Sequence, residues 1–138
     1  MITKILRILL VLFNGFLALT AIAGGIGLLV GLNAPPVEML AGSPFTSYII
    51  PGLALLVIVG GVALIATIML VRRHSKAVLA SVIAGAVIIG FEIVEVLVIG
   101  SPVGIARNLQ IFYSTLGILI LVFTAAYWLA QRPTQQQG

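Results

Sequence analysis

The sequence predicts an all-α fold: a four-helix transmembrane bundle with both termini inside, for which two similar helical hairpins are one way of building it. Three observations carry that prediction. Four apolar runs are each long enough to span a bilayer, charge is nearly absent from them, and the cations between them gather on one side. Of the 138 residues, 62% are hydrophobic and 7% charged, and the mean hydropathy is +1.31. Soluble domains carry about 25% charged residues. Seven Lys and Arg with three acidic residues cannot cover a water-facing surface. That excludes an ordinary soluble domain, a disordered chain and a coiled coil. Cysteine is absent, which excludes disulfides and thiolate metal sites.

A span needs about 20 apolar residues, because each helical residue rises ~1.5 Å across a core of roughly 30 Å. Residues 5–31, 48–71, 77–99 and 109–130 meet that length. They form one transmembrane domain over residues 1–131, and residues 132–138 read as a polar tail without regular structure. Barrel strands would alternate apolar and polar residues, whereas 53–59 and 118–123 are continuously apolar. The first run also has features of a signal peptide, with Lys4 and Arg7 before an apolar stretch and Ala21-Ile22-Ala23 as a candidate cleavage site. Its apolar character continues through Gly31 with no mature-type polar sequence, so an uncleaved first helix is expected.

The connections set the topology. Lys4, Arg7, Arg72, Arg73, Lys76 and Arg132 fall on one side of the spans, and Arg107 alone falls on the other. The positive-inside rule then puts both termini in the cytoplasm. The same cations suit anionic headgroups, and without a basic stripe of interleaved aromatics they do not suggest nucleic acid. The longest connection, 32–47, holds Pro35, Pro36, Glu38 and Pro44. Gly-Ser-Pro occurs at Gly42-Ser43-Pro44 and again at Gly100-Ser101-Pro102. Serine caps helix N-termini and proline suits the first helical turn, so each tripeptide is expected to start a helix. Pro51 is expected to kink the second helix.

Small residues allow helices to approach closely in lipid. Ala23, Gly27 and Gly31 recur at spacing four in the first helix, as do Ala77, Ser81 and Gly85 in the third. Gly60-Gly61 with Ala63 and Ala66 mark the second. These edges suit bundle packing, or alternatively a homo-oligomer face. A faint internal echo pairs Tyr48 and Gly52 with Tyr113 and Gly117.

Glu92 and Glu95 are the most informative residues. A carboxylate within a span is costly and points to a bundle interior or a wet cavity. A spacing of three puts the pair on one helix face. Glu92 also continues the stripe of Ala77, Ser81 and Gly85. With the helix centred near Ile88, Glu92 lies roughly 6 Å and Glu95 roughly 10 Å outward of the midplane. Gln110 and Tyr113 fall at a similar depth, and the stem of Arg107 is long enough to reach inward. The candidate site is therefore an intramembrane polar cluster of Glu92, Glu95, Arg107, Gln110 and Tyr113. It serves either as a structural lock or as a cation, proton or headgroup site. Asn14, expected to bond to a neighbouring helix, and Tyr48 are secondary candidates. His74 lies alone in a basic turn, without partners for a metal. No catalytic constellation, metal site or cofactor site is evident. Tyr127 and Trp128 at one end, with Tyr48 and Tyr113 at the other, suggest interfacial aromatic belts.

Two stretches carry a family resemblance. One runs from Gly42-Ser43-Pro44-Phe45 to Tyr48, Ile50, Pro51, Gly52 and Leu53. The other runs from Glu95-Val96-Leu97-Val98-Ile99-Gly100 to Leu109-Gln110, Tyr113 and Gly117. Together they resemble a loose group of small, uncharacterised four-helix integral membrane proteins of bacteria. The resemblance implies the fold and a bacterial membrane, and no activity. At the position of Glu95 that group takes Glu or Gln, which favours hydrogen bonding over obligatory proton chemistry.

Three function classes stay open. The first is an accessory or assembly subunit of a membrane complex, whose partner is another membrane protein or a second copy. The second is a small oligomeric transporter or channel using Glu92 and Glu95. The third is a lipid-binding protein or integral enzyme with its site in the outer half of the bundle.

Overall fold

The computed structural model describes residues 1–32, 37–101 and 103–137. Its four long helices are α1 (Ile2–Val30), α2 (Ile49–Val71), α3 (Ala77–Ile99) and α4 (Ile105–Gln137). Each is long and apolar enough to cross a membrane, α4 over Ile105–Arg132. The chain is thus built as a small multi-pass membrane protein.

Leu6 and Leu10 of α1 pack with Leu70 of α2, Ala77 of α3 and Tyr127 of α4. Both termini and the α2–α3 turn therefore share one end, which carries six of the seven cations and is called here the basic end. The opposite, loop end carries the other two connections. Helix α1 lies against α2 and α4, and α3 lies against the same two, while α2 and α4 stay apart across the diagonal. The middle of the core joins Leu17 and Ala21 of α1, Val59 and Ala63 of α2, Ile88 of α3 and Ile120 of α4. Leu12, Leu19, Val57, Ile65, Leu97 and Ile118 remain exposed, which suits a surface bathed in lipid tails as apolar as leucine itself.

Two glycine crossings set the spacing of the hairpins. A Cβ at Gly25 would stand 2.8 Å from the Gly52 carbonyl, and one at Gly85 would stand 3.1 Å from that of Gly117. Each crossing joins the two helices of one hairpin. On α3 the stripe Ala77, Ser81, Gly85 is buried as expected. On α1 the inward face is Asn14, Leu17, Ala18, Ala21 and Gly25, whereas Ala23 and Gly31 face outward.

A buried polar chain ties α1, α3 and α4 together in the basic half. Asn14 Nδ2 donates to Leu10 O at 3.0 Å and to Ser81 Oγ at 3.1 Å. Ser81 Oγ lies 2.8 Å from Thr124 Oγ1, which in turn donates to Ile120 O. With the Thr124 proton spent on Ile120, Ser81 donates to Thr124 and accepts from Asn14. Ser81 is thus the hub. Ser81→Ala should lower stability by about 1 kcal/mol, since it removes two interhelical hydrogen bonds of modest net worth. An SDS-titrated unfolding curve in mixed micelles measures this, and an unchanged midpoint would show that the chain contributes nothing.

Five local expectations are corrected. Ser43 does not start a helix: its hydroxyl donates to Leu40 O at 2.7 Å and accepts the Phe45 N–H at 3.2 Å, closing a turn six residues before α2. Ser101 does not cap α4, which begins at Ile105; it accepts hydrogen bonds from Arg107 instead. Pro35, Pro36 and Pro102 lie outside the described residues. Pro51 sits in the first turn of α2, where its missing N–H has no helical acceptor to lose. The irregularity of α2 lies further on, as a π-helical segment at Ala54–Val59. The polar tail continues α4 as helix through Gln137, past Pro133. Of the aromatic belts, Trp128 is exposed and carries the Arg132 guanidinium 4.8 Å from its ring centroid, but Tyr127 is buried in the core.

A candidate amphiphile site in the loop half of the bundle

The first turn of α2, Ile49–Leu53, packs on α1, and its Cα atoms come no closer than 8 Å to those of α3 or α4. Further down, the π-helical turn and then Gly60–Val71 do meet α3. Helices α2 and α3 therefore splay toward the loop end. In the π segment the Gly60 N–H reaches back five residues to Leu55 O, a widened turn of the kind found often beside functional sites.

The splay encloses a cavity of about 520 Å³, within the ~300–1,000 Å³ range of small-molecule sites. Leu17 and Ala21 of α1, Val59 of α2 and Ile88 of α3 form its floor. Leu40, Phe45 and Tyr48 from the long connection cover its loop end. The turn Val37–Leu40 crosses to α3 to make that cover. Ile50 and Ile58 on α2 and Val94 on α3 belong to the lining yet remain exposed. The opening is thus lateral, between α2 and α3, toward the surrounding lipid.

The α3 wall carries both carboxyls of the candidate cluster. Glu92 is 5% exposed and Glu95 is half-buried. They approach each other closely enough to interact, and the Gln110 amide reaches Glu95. Gln110, buried at the start of α4, donates to Gly100 O at 3.0 Å. Gly100 ends α3 with a φ of 75° and an extended ψ, a conformation open essentially to glycine alone, and its carbonyl meets α4. Two buried oxygens in the cluster, Glu92 Oε2 and Gln110 Oε1, have no hydrogen-bond partner.

Tyr113 lines the cavity half-buried, edge-on to Phe112 with ring centroids 5.2 Å apart. Tyr48 is buried at the loop end of the cavity, with Glu95 and Glu38 in electrostatic range. Arg107 is not brought to the cluster. It is exposed and its guanidinium binds Ser101, with Nε 3.0 Å from the carbonyl oxygen. Asn14 is likewise elsewhere, in the polar chain of the basic half. The structure thus groups Glu92, Glu95, Gln110, Tyr113 and Tyr48.

Sequence reasoning missed the cover residues Leu40 and Phe45, the wall residues Gly90 and Phe91, and Thr124 in the other half. Phe45 offered one signal, as an aromatic in an otherwise small and polar connection. Gly90 and Phe91 offered none, because an apolar residue facing a cavity looks like one facing lipid. No protein-family model, curated protein or solved structure matches the chain.

Proposed function

We propose that this chain is an amphiphile-binding membrane protein that takes its ligand from the bilayer through the gap between α2 and α3. One observation carries this reading: a buried carboxyl with an unpartnered oxygen lines an apolar cavity that opens sideways. Carboxyls within spans face interiors or ligand paths, and an apolar pocket with a few convergent polar groups is the ordinary form of a small-molecule site. In this reading the membrane is the cell membrane and the basic end faces the cytoplasm, which the gathered cations support. The cavity then opens into the outer leaflet.

Native mass spectrometry on mildly extracted protein tests it. The parent should retain about one lipid-like molecule per chain, and Gly90→Phe should lose it. Gly90 lines the cavity, and a Cβ there would meet nothing within 4 Å, so the ring fills the ligand's space without disturbing the helices. Equal retention by both proteins would place bound lipid on the outside of the bundle and remove the reading. An accessory-subunit role is a second reading, favoured by the small-residue edge of Ala23 and Gly31, which the bundle leaves exposed. The same spectra address it, because a heteromeric mass would name a partner. A homo-oligomer would instead favour the transporter reading.

A further inference from the structure

We infer that the ligand carries a protonated amine head with N–H donors, seated against Glu92 and Glu95; this rests on the cavity-binding reading above. The polar lining is acidic, and no cation among the described residues balances it. Among the described residues Arg107 is the one cation at the loop end, and it is engaged with Ser101. Glu92 lines the cavity, and its buried Oε2 has no donor. An unmade hydrogen bond to a buried acceptor is a standing penalty, and an ammonium removes it with one N–H while two more remain for the other oxygens of the acidic pair. Its charge also balances the acidic pair in a low-dielectric site, where such attraction is strong. A carboxylate or phosphate head would add like charge, and a hydroxyl brings a single donor.

The cavity also limits the tail. With a methylene taking about the space of a water, ~30 Å³, 520 Å³ seats roughly 17 heavy atoms. A single alkyl chain of about twelve carbons with its head fits that space. The lateral opening between Ile50 and Val94 leaves room for a longer chain to run out into lipid.

Four probes with one tail separate the possibilities: dodecylamine, dodecyltrimethylammonium, dodecanol and dodecanoate. Alkylammonium groups resemble the Lys head, with a pKa of about 10.4, so dodecylamine is protonated at pH 7. Binding to the full chain in nanodiscs, corrected for empty nanodiscs, should favour dodecylamine at least tenfold over dodecanol, with dodecanoate weakest. Dodecyltrimethylammonium, a cation without N–H donors, should fall between the amine and the alcohol. Glu92→Gln should narrow the amine-to-alcohol ratio to about twofold, while dodecanol binding holds. Gly90→Phe should abolish binding of all four. If dodecanol or dodecanoate matches the amine in the parent and Gly90→Phe still abolishes binding, the amine head is overturned and the cavity reading survives. If the trimethylammonium probe equals the amine, charge alone recognises the head and the donor requirement is overturned. If no probe depends on Gly90, the cavity reading itself fails. The parent's four-way ranking is decisive even if Glu92→Gln does not fold.

Discussion

Gly25→Ala should lower the unfolding free energy by about 3 kcal/mol, at the upper part of the ~1–3 kcal/mol range for overpacking a close-packed interior. A Cβ on Gly25 would stand 2.7 Å from Leu56 N and 2.8 Å from Gly52 O. Both are backbone atoms, so no side-chain rotation relieves the contact. Helices α1 and α2 would have to separate, and separation weakens many small dispersion contacts along the interface together. Gly61→Ala is the matched control. Nothing lies within 4 Å of a Cβ there, and alanine is the better helix former by ~1 kcal/mol, so that variant should be neutral or slightly more stable. SDS-titrated unfolding of both variants in mixed micelles measures the contrast. A loss below about 1 kcal/mol in Gly25→Ala would mean that α1 and α2 slide past one another easily and that the glycine crossing does not fix their spacing.

The contrast between Gly25 and Gly61 also shows where the sequence is legible. Both are glycines in long apolar helices, and composition alone treats them alike. The spans were readable because about 20 consecutive apolar residues have no other stable use. The ends of α1 and α3 were readable because Gly31 and Gly100 are the residues that turn most easily through a positive φ, 81° and 75° here. The face of each helix was harder to read. Ala23, Gly27 and Gly31 form as regular a stripe as Ala77, Ser81 and Gly85, yet α1 turns Ala21 and Gly25 inward instead. A membrane removes the usual cue, since lipid-facing and protein-facing positions are equally apolar. The Gly-Ser-Pro expectation failed for a different reason. Serine's hydroxyl serves a tight turn as well as a helix cap, and at Ser43 the turn wins through Leu40 O and the Phe45 N–H.

The site follows the same pattern. Glu92 and Glu95 announced themselves because a carboxylate in a span needs a reason, and the stripe through Gly85 gave the right face for Glu92. Gln110, Tyr113 and Tyr48 were reachable by depth alone. Arg107 was assigned on reach, but its guanidinium finds Ser101 O in its own connection and no longer needs the carboxyls. The cavity itself was illegible. It depends on the splay of α2 from α3, and that splay starts where Ile49–Leu53 lean on α1 above a π-helical turn that no residue type specifies.

Glu92→Leu should stabilise the bundle by about 1–3 kcal/mol, the penalty of a buried polar group left unsatisfied, while abolishing amphiphile retention. Two expectations about Glu92 differ here in sign. If the carboxyl locks α3 to α4, replacing it breaks a hydrogen-bonded network, and stability falls. Yet the direct bonds between these helices at the loop end run from Gln110, to Gly100 O and to Glu95, and not from Glu92. Glu92 meets Glu95 on its own helix, but its Oε2 has no partner to lose, and leucine is close to glutamate in volume and better suited to the apolar walls around it. A residue kept at a cost in stability is the mark of a binding site rather than of a scaffold. Unfolding curves and native mass spectra on the same variant read both quantities. A more stable protein that no longer retains its ligand assigns Glu92 to binding. A less stable one assigns it to the lock, and the orphaned oxygen would then have a partner in the membrane that keeps the helices together.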